Sequence, residues 1–135
     1  MGAPHTLKAP CIQVLSLVAD RSGAFVTDAE VLQEIMRRYL AQRAWTRGRE
    51  VLTRFAELMS GRVEAVYALD VEAAVLLADA GRGLSARDLI HLAVMQRVGS
   101  TRIVTADTGF DRIEGIERLD PMLVEEWAAS VGETA

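Results

Sequence analysis

Cysteine is almost absent from this sequence: Cys11 stands alone, which excludes an internal disulfide and a cysteine-built zinc site. The two histidines, His5 and His91, form no paired metal motif, and no Ser–His or Cys–His arrangement suggests a protein nucleophile. No apolar run approaches the roughly 20 residues that cross a bilayer. No charged segment followed by an apolar stretch opens the chain as a secretory leader would, so a cytoplasmic protein is expected. Aromatic residues make up only 5%, so the core must be built mainly from Val, Leu, Ile, Ala and Met. Positive charge is not in excess either: 15 basic residues face 19 acidic ones, a net charge of −4. That balance argues against a protein held on nucleic acid by overall charge. It leaves room for a local basic patch beside an acidic cation site. No carboxylate occurs before Asp20.

What is present is an ordinary balance, half hydrophobic and one quarter charged, over 135 residues, enough for one domain with one core. Leu7, Cys11, Val14, Leu15 and Val18 recur at three- and four-residue steps, which predicts a helix over about 6–20, ended by Gly23. Residues 24–27 read as a short buried strand. Thr27-Asp28-Ala29-Glu30 has the capping-box form and opens a helix over about 29–41; a third helix covers about 45–60. Val63 to Tyr67 alternates as a strand does, and Asp70 is expected to cap a helix through Ala80. Ser85-Ala86-Arg87-Asp88 opens an apolar helix to about Val98. Strands follow at about 102–105 and 116–119, then a helix at about 122–130, with 131–135 expected to fray. Strands alternating with helices predict a single α/β domain, residues 1–135, with a mainly parallel sheet.

Parallel sheets place functional groups beyond the carboxyl ends of their strands and at the following helix N-termini. Asp107 and Asp111 follow the 102–105 strand, Asp88 lies in the first turn of the apolar helix, and Glu34 lies on the helix after the 24–27 strand. Carboxylates that converge repel unless a cation neutralises them, and oxygen-only ligands suit Mg²⁺ or Mn²⁺. Each acid also has a plain role open to it. Asp88 fits a capping box, Glu34 a solvated helix face, and Asp107 a turn ahead of Thr108-Gly109. His91 follows Asp88 by three residues on the same helical face, a place from which it could orient a ligand, but its neighbours Leu89, Ile90, Leu92 and Ala93 suggest a packed histidine.

Three segments together carry a resemblance. Thr27 to Arg38 with Glu34 inside it, Ser85 to Ala93 with Asp88, and Val104 to Asp111 with its T-x-D-x-x-F pattern match, in order and spacing, the acid-bearing segments of PIN-domain ribonucleases. The Leu7–Val18 helix and the arginine-rich helical hairpin resemble the VapC-type toxins among them. The resemblance implies a PIN-like mainly parallel sheet flanked by helices, and Mg²⁺- or Mn²⁺-dependent hydrolysis of RNA phosphodiester bonds. Glu34, Asp88 and Asp107 map onto metal-site positions, Asp111 maps onto an acid that some members use, and Thr105 maps onto a hydroxyl that holds a metal-bound water or a phosphate. Family members also open on a strand ending in Asp-Thr-Asn or Asp-Thr-Ser, central in the sheet, whose Asp is a ligand. The expectation is therefore that this strand is missing, through a late gene start, a shortened chain or a degenerate member.

Arg37, Arg38, Arg43, Arg47, Arg49 and Arg54 fall within eighteen residues, with Trp45 among them and only Glu50 opposing. Arginine pairs with phosphate oxygens through its planar fork and tryptophan stacks on bases, so the hairpin is a candidate RNA or protein contact; a solvated helix face is the alternative. The resemblance further implies a cognate VapB-type antitoxin and a homodimer. Two other readings stand beside the nuclease: a non-catalytic PIN remnant that binds antitoxin or RNA, and a small α/β interaction domain whose acids are all caps.

Overall fold

The computed structural model describes residues 5–132, and the side chains of residues 11–132. The expected terminal fray falls partly outside that range, at 133–135. The first helix, α1 (His5–Asp20), is followed by a turn of 3-10 helix at Ser22–Ala24, which takes the first residue of the strand predicted over 24–27. The strand comes later and is shorter: β1 is Thr27–Asp28. It leads into α2 (Ala29–Ala41), and the cap is Asp28 rather than Thr27, with its Oδ1 accepting from the Val31 amide at 3.0 Å. A side-chain oxygen at this position satisfies one of the helix's free N–H groups. α3 (Trp45–Leu58) packs back on α2, and Gly48 is where the two touch: a Cβ there would lie 2.3 Å from that of Tyr39.

β2 (Val63–Glu64) precedes α4 (Ala68–Asp79). Asp70 is not the cap of α4 but a first-turn residue. It reaches back to accept from the Tyr67 amide at 2.8 Å and also accepts from Arg97 Nε at 2.9 Å. α5 (Ala86–Val98) begins as the sequence predicts, with Ser85 Oγ accepting from the Asp88 amide at 3.2 Å. It ends at Gly99, whose φ of 76° is a left-handed conformation that costs a glycine nothing. β3 (Arg102–Val104) and β4 (Glu117–Leu119) follow, and then α6 (Val124–Trp127), flanked by 3-10 turns on both sides.

The C-terminal segment is anchored up to Val131. Val131 is 6% exposed and packs with Leu119, Val124 and Trp127 against Val14 and Leu17 of α1. Arg21 fixes the same segment by donating to the carbonyls of Ala128 and Val131 at 2.8 and 2.7 Å. A second cluster joins Ala74 of α4 to Leu89 and Ala93 of α5. The core is aliphatic as composition requires, although two of its anchors, Phe110 and Trp127, are aromatic.

Every strand pair is parallel, but the described strands form two separate halves, β1 with β2 and β3 with β4. Between them lies a groove of about 850 Å³, lined on one side by residues 24–28 and on the other by residues 100–105. Thr101 and Thr105 bond through their backbones toward β4, and Thr27 bonds toward the β2 side through Arg62. Backbone groups alternate in direction along a strand, so those of Arg102 and Val104 in β3 point the other way, toward the groove. Val14, Val18, Val31 and Phe110 add apolar lining.

Candidate functional site

The polar residues of the groove include Asp28, Arg87, Asp88, His91, Thr105 and Asp107. Asp88 stands in the first turn of α5. Asp107 lies just past β3, where its amide donates to Thr105 Oγ1 at 3.1 Å and its Oδ1 accepts from Gly109 at 2.8 Å. The fold brings these two acids together. Burial pushes the Asp88 carboxyl above the ordinary carboxylate range; the Ser85 hydroxyl offsets part of this, and the charge and hydrogen bond of Asp107 add to the rise.

Glu34 is placed differently. Its carboxylate receives two bonds from Arg37, 2.9 Å from Nε and 2.6 Å from Nη2, and lies 3.1 Å from Arg87 Nη1 and 3.7 Å from Arg38 Nε. Arg37 first, then Arg87 and Arg38, hold it below the usual carboxylate range against the opposing effect of burial. Arg87 precedes Asp88 in sequence, so Glu34 adjoins the acid pair through an arginine. Asp111 is also engaged, with Arg118 Nε 2.9 Å from its Oδ1. Among the described residues no three His, Cys, Asp or Glu side chains converge as a metal-holding group. A divalent cation fits the chemistry of the Asp88–Asp107 pair: both are hard oxygen donors, and their mutual repulsion is what a cation relieves. Glu34 would join only on leaving its arginines.

Two residues at this end have no place among the acids singled out from sequence. Asp28 is 6% exposed, and its Oδ2 lies 2.6 Å from Nδ1 of His91. The capping-box form of Thr27-Asp28-Ala29-Glu30 points to Thr27 as the cap and gives Asp28 no part in it. Nothing local marks a pairing across 63 positions.

A parallel α/β arrangement with a carboxylate pair beyond a strand end defines a class, and comparison supplies the family. The PIN domain model matches residues 10–116, and the chain belongs to that family. It is 38% identical over 122 residues to Ribonuclease VapC13 of Mycobacterium tuberculosis (strain ATCC 25618 / H37Rv), covering 88% of this chain and 90% of the relative. VapC ribonuclease Mb1869c of Mycobacterium bovis matches with the same identity and coverage. Ribonuclease VapC23 of Mycobacterium tuberculosis (strain CDC 1551 / Oshkosh) is 36% identical over 107 residues, 79% of this chain and 83% of the relative. No solved structure matches the chain significantly. No helix among the described residues is long and apolar enough to cross a membrane.

Proposed function

We propose that this chain is an endoribonuclease toxin of the VapC type, dependent on Mg²⁺ or Mn²⁺ and neutralised by a cognate VapB-type antitoxin. The observation that supports the reading is that Asp88 and Asp107 line one groove, near enough for the charge of one to act on the other, in a PIN-family chain whose relatives bear ribonuclease names. A bound divalent cation supplies an activated water and charge neutralisation for the leaving oxygen. Asp88 and Asp107 would hold it, with Glu34 as third carboxylate once released from Arg37 and Arg87. Asp111 is a more distant candidate ligand. Thr105 fixes the loop that carries Asp107 and keeps its hydroxyl hydrogen for a phosphate oxygen. The groove between the half-sheets suits one more parallel strand, and the aspartate that the family carries at the end of its first strand would complete the acid set there.

Partners follow the same reading. Arg43, Arg47 and Arg49 are exposed cations of the hairpin suited to RNA phosphates or to an acidic antitoxin segment. α4 leaves Leu69 and Leu76 71% and 72% exposed, with Val75 beside them, an apolar face suited to a homodimer. The engagement of Glu34 by three arginines favours a second reading, a non-catalytic PIN remnant that binds antitoxin or RNA. Incubating the chain with RNA and Mn²⁺ decides between them. Cleavage abolished by EDTA and by Asp88→Asn supports the nuclease, whereas Mn²⁺ binding without any cleavage supports the remnant.

A further inference from the structure

The carboxylate of Asp28 uses its two oxygens for two different elements. Oδ1 caps α2 through the Val31 amide at 3.0 Å, and Oδ2 meets Nδ1 of His91 on α5 at 2.6 Å. The side chains are only 9% and 15% exposed, so water competes weakly for this bond. A carboxylate can only accept, and Nδ1 must therefore carry the hydrogen. In the neutral ring Nε2 is then the bare acceptor. Among the described residues Nε2 has no hydrogen-bond partner, and no buried side-chain nitrogen or oxygen is left unsatisfied, so Nε2 reaches solvent. The imidazole lines the same groove as Asp88 and Asp107, one helical turn beyond Asp88 on α5.

We propose that Asp28 sets the tautomer of His91 so that Nε2 presents a hydrogen-bond acceptor to the acidic end of the groove, where it takes an O–H donor from the reacting system. The donor is either the attacking water or a ribose 2′-hydroxyl of the bound RNA. This rests on the nuclease reading of the site. It assigns His91 a role beyond packing and Asp28 a role beyond capping. A carboxylate that fixes the tautomer of a histidine through one nitrogen and thereby defines the other is a general device of hydrolytic sites.

Nitrogen-15 NMR of the histidine rings in the full chain reads the tautomer directly and needs no activity. A protonated Nδ1 with a lone-pair Nε2 in neutral His91, reversed in Asp28→Asn, is expected; a hydrogen on Nε2 in the unsubstituted chain overturns the proposal. The cleavage arm uses His91→Asn, whose amide keeps a donor for Asp28 while removing Nε2. Loss of about tenfold to a hundredfold in kcat, with KM and melting temperature little changed, is expected for one hydrogen bond to a reacting group. Full kcat in His91→Asn would reduce the pair to a brace between α2 and α5 and overturn the acceptor role. A substrate with a single 2′-deoxy sugar at the cut site separates the donors. If the gap between His91→Asn and the unsubstituted enzyme persists on it, water is the donor; if the gap closes, the 2′-hydroxyl is. If the unsubstituted chain cuts no RNA, the nuclease reading fails, while the NMR arm still decides the tautomer.

Discussion

The Asp88 carboxyl lines the same groove as Asp107, and burial, with the neighbouring charge of Asp107 adding to it, lifts it above the ordinary carboxylate range. Its folded-state pKa is raised, so the native state holds the proton that the unfolded chain releases. Stability from this site is therefore greatest below the ordinary value of 3.8 and falls as pH rises through the raised value. Asp107→Asn keeps an oxygen for the Gly109 amide and removes one charge. Its metal-free melting temperature at pH 7 should equal or exceed that of the unsubstituted chain, while Mn²⁺ affinity and RNA cleavage are lost. Calorimetry and a cleavage assay check this, and full activity in the variant would refute the site.

Glu34 is expected to behave in the opposite way. Its pKa is lowered, so its contribution is complete above the ordinary value of 4.5 and disappears as pH falls through the lower folded value. At pH 7, Glu34→Gln should cost about 0.5–1 kcal/mol, the range of partly exposed ion pairs, because three arginines lose their anion. A rise in metal-free stability would instead place Glu34 in the repelling acid cluster. Urea denaturation at pH 7 and at pH 3 measures both the size and the sign.

Asp70 is a structural acid. It is 2% exposed, and the Arg97 guanidinium, with the Tyr67 amide as a lesser contributor, holds it below the usual range. Asp70→Asn should cost about 1.5–3 kcal/mol at neutral pH, the worth of a hydrogen bond to a charged group. That difference should shrink as pH falls below 3.8 and Asp70 itself protonates. Melting curves of both proteins across that interval check the sign.

The two half-sheets should accept a strand. The amides of Arg102 and Val104, pointing into the groove, are expected to exchange hydrogen rapidly. An extended peptide of about six residues, alternating in apolar character and ending in Asp, should slow that exchange, raise the melting temperature and strengthen Mn²⁺ binding. Unchanged exchange at saturating peptide would show that the groove takes no strand.

The arginine hairpin should bind through charge. Arg37 and Arg38 are committed to Glu34, so Arg47→Glu with Arg49→Glu should weaken RNA binding more than Arg38→Glu does, and the affinity of the unsubstituted chain should fall steeply with salt. Fluorescence anisotropy at two ionic strengths measures this, and equal affinities at low salt would return these arginines to a solvated helix face.

The sequence by itself determined the features that local chemistry controls. Apolar spacing laid out the helices, Ser85 marked the start of α5, and the order of Glu34, Asp88 and Asp107 carried the PIN resemblance that the family match bears out. Three- and four-residue periodicity and capping depend on neighbours a turn away, so one chain suffices to read them. Tertiary structure decided which groups meet. It shifted the cap from Thr27 to Asp28, joined Asp28 to His91, gave Glu34 to the arginines, and buried Val131 where fraying was expected. It also left the parallel strands in two halves, with their inner backbone groups facing one groove. A carboxylate at a helix start has the same local signature whether it repels another acid, as Asp88 does, or caps the next turn, as Asp28 does. Only the residues that folding brings from far along the chain distinguish the two, because charge and hydrogen bonding act through space.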